Sequence, residues 1–271
     1  MISWLHSYIP QPILLQWGWL SIHWYGLILA LAMVIGFFLT SKLAKLKGYK
    51  VNDWQNMLFY ALLGGLVGAR LYHVCLELPY YLAHPLEIIQ IWQGGLAIHG
   101  AIIGGGLVVY FFSKKYKWQY GKVLDILVLA MILGQALGRW GNFFNQELFG
   151  MPTEAAWGIF IEAINRPIEY IQFSHFHPTF LYEFLANLTL FFILLIIYKR
   201  KNNFVGLIAS LYLIGYSIIR FFLEFIRIDR TPEVLGLRWP QWASIFILSG
   251  VIVYWIIVKR LNKSRARLGR A

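Results

Sequence analysis

Long apolar runs alternate with short polar, often lysine-bearing segments along the whole chain. The runs fall at roughly 21–40, 56–74, 95–112, 123–140, 179–198, 204–225 and 241–258. Each comes close to the about 20 residues a helix needs to cross a bilayer. Apolar side chains follow one another within them instead of alternating with period two, which predicts helices and argues against a β-barrel. The expected fold is all-α, a bundle of seven transmembrane helices forming a single integral membrane domain over residues 1–271. The longest non-spanning stretch, about 141–178, carries Pro152, Trp157, Pro167 and Pro178. It is too short for an ordinary domain and reads as a small extracytoplasmic cap.

Flanking residues refine this outline. Trp4, Tyr8, Trp17 and Trp19 in residues 1–20 suit an interfacial arm, because Trp and Tyr favour the headgroup layer. The segment around 75–93, with Glu77, His84 and Glu87, has room for a short amphipathic piece. Gly64 and Gly68, Gly100 and Gly104, and Gly134 and Gly138 are spaced for close helix packing. No internal repeat of the kind found in secondary transporters is visible.

Most of the basic residues sit in segments that alternate sides: Lys42, Lys45, Lys47 and Lys50; Lys114, Lys115, Lys117 and Lys122; Lys199, Arg200 and Lys201; and the tail Lys259, Arg260, Lys263, Arg265, Arg267 and Arg270. Arg166, Arg227, Arg230 and Arg238 fall on the opposite side. Cytoplasmic loops carry the Lys/Arg excess, so the N-terminus is expected outside and the C-terminus inside. With 59% hydrophobic and 13% charged residues, the net charge of +12 is a topology signal with an affinity for anionic lipid, and calls for no nucleic-acid partner. No Lys or Arg precedes Lys42, so the first span lacks the basic start of a cleavable signal peptide. The single cysteine, Cys75, has no internal disulfide partner or metal-ligand companions and is expected to be inert.

Several polar residues then stand out against the apolar background. GRWGNFFNQELFG, residues 138–150, places Arg139, Asn142, Asn145 and Glu147 at the end of the fourth span. Charged and amide groups at that depth are costly unless paired or solvated and mark a functional site by default; the plainer reading is a re-entrant loop or anchor. Arg220 and Glu224, in RFFLE, are four apart and share a helix face, either as a self-neutralising pair or as part of a site. His99 stands among glycines in GGLAIHGAIIGGG, Tyr25 begins the first span in HWYG, and His177, Tyr182 and Glu183 open the fifth in HPTFLYE. All are expected at one leaflet. The set offers guanidinium from Arg139 and Arg220, with Arg70 as a third candidate, plus amides, a histidine and phenols. A planar guanidinium suits phosphate in a dry setting, and phosphate near a leaflet means a phospholipid headgroup. Soluble-enzyme signatures such as G-x-S-x-G, H-E-x-x-H and the P-loop are missing, and no carboxylate cluster suits a metal.

The stretch GRWGNFFNQELFG resembles the signature of the bacterial phosphatidylglycerol–prolipoprotein diacylglyceryl transferases at Gly138, Arg139, Gly141, Asn142, Phe143, Asn145, Glu147 and Gly150. HWYG, GGLAIHG, HPTFLYE and RFFLE extend the resemblance in order over essentially the full chain; Ala101 departs from the second glycine common after His-Gly in that family. The resemblance implies a membrane transferase that moves the diacylglyceryl group of phosphatidylglycerol onto the lipobox cysteine thiol of a prolipoprotein. It forms a thioether, releases glycerol phosphate and needs no cofactor. It further implies a multi-pass protein of the bacterial cytoplasmic membrane, acting as a monomer. Against that chemistry Arg139 and Arg220 are expected to grip the phosphate, with Glu224 and Glu147 orienting them. Asn142, Asn145 and Gly150 would line the headgroup site, and His99 or Tyr25 would take the thiol proton unless the arginine field makes a base unnecessary. The competing readings are a phospholipid-binding transporter or channel, an intramembrane protease, and a structural scaffold.

Overall fold

The computed structural model describes residues 6–18, 20–200 and 204–268. Trp4, Trp19, Lys201 and Arg270 lie outside the described residues, as do the side chains of Lys263, Arg265 and Arg267. The chain is mostly helical. Its principal helices are α1 (Trp24–Leu46), α2 (Val51–Leu76), the short α3 (Leu78–Ala83), α4 (Ile98–Lys115), α5 (Tyr120–Phe144), α6 (Thr179–Lys199), α7 (Leu207–Leu223) and α8 (Trp239–Leu268). A helix thus occupies each of the seven apolar runs. Five of them, α1, α2, α5, α6 and α8 over Trp239–Arg260, are long and apolar enough to cross a membrane; α4 is outside that set and α7 has only 17 residues. The chain is a polytopic membrane protein by this measure. Large apolar side chains such as Phe38, Leu62, Phe192 and Phe246 lie exposed along these helices, as expected of surfaces whose solvent is lipid.

Two compact units divide the residues: Phe37–Leu127, and Met1–Gly36 together with Val128–Ala271. In Phe37–Leu127 the close packing of α2 on α4 is the work of glycines. A β-carbon on Gly68 would collide with the backbone oxygen of Gly100 and sit 3.0 Å from the α-carbon of Gly104; one on Gly64 would meet Val108 at 2.6 Å. The small-residue reading therefore holds for Gly64, Gly68, Gly100 and Gly104. It does not hold for Gly134 and Gly138, which face open space, because spacing marks a small-residue stripe but not what packs on it. Arg70, on α2, is buried and its donors end on backbone carbonyls: Nε on Ile88 at 2.8 Å, Nη1 on Gly94 and Gly95 at 2.8 and 3.0 Å, and Nη2 on Glu87. It braces the 85–95 segment, so it is not a free guanidinium for a ligand.

The other unit holds short strands that the apolar pattern does not predict. β1 (Ile13–Trp17) and β2 (Leu20–His23) pair antiparallel, so part of the N-terminal arm is a hairpin. Residues between α5 and α6 include the pair β3 (Ile159–Phe160) and β4 (His175–Phe176), and β5 (Glu233–Val234) pairs with β6 (Leu237–Arg238) ahead of α8. Phe143, Phe149, Ile159, Ile161, Phe176 and Phe180 form one buried cluster, which welds the 145–178 segment to the ends of α5 and α6. That apolar burial lets a segment with so little regular structure hold a fixed shape.

Candidate functional site

The signature begins inside a helix and ends as a strained loop. α5 runs on to Phe144, four residues beyond the expected end of the fourth span, because Phe143 and Phe144 pack into the aromatic cluster. Arg139 and Asn142 are consequently three apart on one helix face, and Arg139 Nη1 donates to Asn142 Oδ1 at 3.0 Å. Past the helix, Gln146 and Leu148 both take positive φ, 51° and 57°. Left-handed backbone costs a non-glycine residue roughly 1–3 kcal/mol and persists only where surroundings impose it. Here the buried Gln146 amide imposes it, donating to the Pro10 carbonyl at 2.9 Å and to Glu162 Oε2 at 2.8 Å while accepting from the Glu162 amide at 2.7 Å. The kink presents Glu147 back toward the helix, where its Oε1 accepts from Asn142 Nδ2 at 2.8 Å and from Asn145 Nδ2 at 3.4 Å.

Glu147 therefore orients Asn142 and not Arg139 directly. The carboxylate on Arg139 is Glu183, in the second turn of α6, with Oε1 2.8 Å from Arg139 Nη2. The pair is an ion contact off hydrogen-bond alignment, and Arg139 Nε is buried with no hydrogen-bond partner among the described residues. Arg220 and Glu224 form the expected pair, Nη2 to Oε2 at 2.9 Å, but Glu224 is completely buried and shared: its Oε1 lies 3.1 Å from Arg238 Nη1. Arg238 also donates to the carbonyls of Arg227 (2.8 Å), Glu224 (3.1 Å) and Asp229, and to Thr231 Oγ1 at 2.7 Å. Arg227 is buried, with Nε on Asp229 Oδ1 at 2.7 Å and Nη1 3.9 Å from Glu183 Oε2. Burial pushes the Asp229 carboxyl up, but the hydrogen bond and charge of Arg227, with the charge of Arg238, outweigh it and hold the group below its ordinary value.

These contacts form one chain of alternating charge: Arg139, Glu183, Arg227, Asp229, Arg238, Glu224, Arg220. The two arginines singled out from sequence are its ends. Tyr216, one turn before Arg220 on α7, lies within electrostatic reach of Glu183, Arg139, Arg220 and Arg227. A cavity of about 380 Å³ opens beside Glu224, Arg227, Asp229 and Arg238.

Gly150 is a packing position. Its amide donates to the His177 carbonyl at 2.9 Å, it bridges to Arg227, and a β-carbon there would lie 2.9 Å from His177 Cβ, Ile226 Cγ2 and Thr179 Cγ2. Tyr25, at the start of α1, lies against Gly141, where a β-carbon would collide with its ring. His177 and Tyr182 turn toward each other, Nδ1 to hydroxyl at 3.1 Å, with Trp157 Nε1 on the same hydroxyl at 2.9 Å. His99 belongs to Phe37–Leu127; it is exposed on the first turn of α4, its ring 5.9 Å from that of Tyr72.

Sequence reasoning thus found Arg139, Asn142, Asn145, Glu147, Arg220 and Glu224, which the structure brings into hydrogen-bonded or ion-paired groups. It grouped Glu183 with the polar residues of that leaflet without giving it a role, and gave no site role to Tyr216, Arg227, Asp229 or Arg238. The available signals were Glu183 in HPTFLYE, four-residue spacing from Tyr216 to Arg220 to Glu224, and the density of charge in residues 224–238.

Residues 12–257 match the family model described as prolipoprotein diacylglyceryl transferase. A phosphatidylglycerol–prolipoprotein diacylglyceryl transferase of Parasynechococcus marenigrum is 41% identical over 261 residues, covering 91% of this chain and 94% of its own. Proteins of the same name from Synechococcus sp. (43% identical, 93% and 94% covered) and Synechocystis sp. (40%, 93% and 92%) are similar over the same extent.

Proposed function

This chain belongs to the prolipoprotein diacylglyceryl transferase family, and on that premise we infer that it moves the diacylglyceryl group of phosphatidylglycerol to the lipobox cysteine of a prolipoprotein. The observation that carries the mechanistic reading is the pair of part-exposed arginine side chains, Arg139 and Arg220, each fixed by a buried carboxylate. The transporter or channel reading asks for polar groups lining a path. Charges that end in paired, part-exposed arginines suit a binding and reaction site better.

The bond to be broken joins a glycerol CH₂ to a phosphate oxygen, so the reaction is displacement at saturated carbon. The substrate thiolate attacks that carbon, the carbon–oxygen bond breaks, and the phosphate leaves with the electron pair as glycerol phosphate. Arg139 and Arg220 bind the phosphate and stabilise the charge that builds on its leaving oxygen; such fixed donors need no reorganisation at the moment of reaction. Asn142 and Asn145, held by Glu147, shape the headgroup site, and Gly150 allows the loop to close on α6. A free thiol has pKa ~8.5 and is mostly protonated at neutral pH, so its proton must go to a base or be shed in the arginine field. His99 and Tyr25 are the two candidate bases, and the ordinary imidazole pKa of ~6.5 favours His99 over a phenol near 10.

The same reading places seven spans in the bacterial cytoplasmic membrane, with α4 and α7 completing the five longer helices, the N-terminus outside, the C-terminus inside and residues 141–178 as an extracytoplasmic cap. The lysine-rich segments after α1, α4 and α6 support that orientation. The protein acts as a monomer on phosphatidylglycerol and a lipobox peptide.

Purified protein, phosphatidylglycerol with labelled glycerol and a lipobox peptide are expected to give diacylglyceryl-peptide and labelled glycerol phosphate. No transfer in any lipid or detergent would return the protein to the binding class. Arg139→Lys, which keeps charge but loses the fork, and Arg220→Ala are expected to lose about 100-fold or more in rate; wild-type rates in both would remove the phosphate grip. A fully active His99→Gln would eliminate His99 as an obligatory base, and Tyr25→Phe answers the same question for the phenol.

A further inference from the structure

Glu183 is a carboxylate between two arginines. Oε1 lies 2.8 Å from Arg139 Nη2 and Oε2 3.9 Å from Arg227 Nη1. Its side chain is 2% exposed, Arg227 5% and Arg139 19%, so the carboxylate is buried between two arginines of which Arg139 is the more exposed. Glu183 also carries the connection between the α5 end of the charge chain and the segment following α7. Along the ion-paired chain four guanidiniums (Arg139, Arg220, Arg227, Arg238) face three carboxylates (Glu183, Glu224, Asp229), and Glu147, which reaches Arg139 through Asn142, adds a fourth carboxylate to the site. Arginine stays protonated at any working pH, so this balance is set by the acids.

We propose that Glu183 is a positioning and specificity-determining residue for the transfer: it fixes Arg139 against the phosphate and lowers the positive charge around it by one, which weakens the hold on a dianionic phosphomonoester more than that on a monoanionic phosphodiester. The proposal rests on the phosphate-grip reading above. Its consequence concerns the product. Phosphatidylglycerol carries a phosphodiester with one negative charge, whereas the released glycerol phosphate is a monoester whose second ionisation lies near pH 6. At pH 7.5 the product therefore carries one more negative charge than the substrate phosphate, and the carboxylate of Glu183 disfavours its retention. Neutralising Glu183 would make the site more positive by one charge and retain the product.

The test uses the full-length protein in phosphatidylglycerol vesicles with a lipobox peptide, comparing wild type, Glu183→Gln and Glu183→Asp. In Glu183→Gln, kcat is expected to fall about 10- to 100-fold, the loss of one charged contact. Inhibition by added glycerol phosphate is expected to tighten at least about tenfold at pH 7.5 and to return toward wild type below pH 6, where the monoester loses its second charge. Glu183→Asp keeps the charge but withdraws the carboxylate, so kcat falls while glycerol phosphate inhibition stays at the wild-type value. A merely structural carboxylate would lower active fraction without tightening product inhibition, and that outcome overturns the proposal, as does wild-type kcat in Glu183→Gln. If Glu183→Gln fails to insert, Glu183→Asp decides: a wild-type kcat there overturns the positioning role. Arg139→Lys separates the two readings. Full activity in Arg139→Lys would sink the phosphate grip itself, whereas an impaired Arg139→Lys beside an unaffected Glu183→Gln would sink only the role of Glu183.

Discussion

Gly150→Ala adds one methyl group at the point where the signature loop meets two other segments. The new β-carbon would lie 2.9 Å from His177 Cβ, Ile226 Cγ2 and Thr179 Cγ2. Carbon atoms rest at about 3.5–4.0 Å, so each neighbour has to retreat by roughly half an ångström or more. None can do so alone. His177 Cβ moves only with its backbone, whose carbonyl accepts from the Gly150 amide at 2.9 Å; the Ile226 carbonyl accepts from the Met151 amide at 2.9 Å; and the Thr179 hydroxyl donates to the Leu148 carbonyl. Gly150 does not have positive φ, so alanine is excluded by space and not by backbone conformation. Overpacking of this kind costs about 1–3 kcal/mol. The displacement passes through the Gly150–Arg227 bridge to a guanidinium that already stands 3.9 Å from Glu183. Misplacement by an ångström costs on the order of 100-fold in rate. The expected result for Gly150→Ala is a 10- to 100-fold lower kcat in the vesicle transfer assay with a lower Tm. Gly134→Ala is the control, because nothing lies within 4 Å of its β-carbon position; it should keep its rate and gain about 0.5–1 kcal/mol from helix propensity. Wild-type transfer by Gly150→Ala, with the Tm of Gly134→Ala, would refute the reasoning.

Two further outcomes follow from the polar contacts. Arg70→Ala removes the donors to the carbonyls of Ile88, Gly94, Gly95 and Glu87 and should cost on the order of 3 kcal/mol, read as lower Tm and faster proteolysis within residues 85–95; unchanged Tm and proteolysis would show that Arg70 is no brace. For His175, burial first, then the neighbouring His6 and Arg166 charges, hold the imidazole below its ordinary value. A histidine depressed in the folded state gives its full stabilisation above the unfolded pKa near 6.5 and loses it as pH falls toward the folded value. Thermal stability should therefore decline between about pH 7 and 5, and His175→Gln should flatten that decline; parallel curves would exclude His175 as the source.

The helices were legible because a bilayer leaves the backbone few choices, and continuous apolar runs at the right length can be little else. Helix ends were less so: α5 continues to Phe144 because tertiary contacts of Phe143 and Phe144 extend it, and no local pattern announces those. The strand pairs escaped notice because pieces as short as Glu233–Val234 carry no period to read. For the site, Arg139, Asn142 and Arg220 could be found as polar residues out of place in apolar surroundings. Arg227 and Arg238 could not, since a loop charge looks solvated until the fold buries it. Glu183 was visible in HPTFLYE, but only the packing of α6 decides that it faces Arg139 while Tyr182 faces His177.

That difference explains why the site is built from pairs. A lone buried arginine would lose its hydration with nothing in return, and an isolated carboxylate such as Glu224 would be protonated or expelled. Alternating the charges makes each neighbour the solvent of the next, so the chain can be sealed at Glu183, Arg227 and Glu224 while its ends at Arg139 and Arg220 keep 19% and 18% exposure. The arrangement also fixes the planes of the two end guanidiniums before any lipid arrives, which a solvated arginine on a flexible stem could not do. Pairing would abolish phosphate binding if it were complete, but a chain that begins and ends on arginine holds one more cation than anions. Arg139 Nε and Arg220 Nη1 are buried atoms with no hydrogen-bond partner among the described residues, so that surplus is presented through the part-exposed remainder of each side chain. Stability and function then draw on the same residues. Removing an internal carboxylate should unbalance the whole chain, whereas removing an end arginine should leave the remaining pairs intact and take away the phosphate site alone.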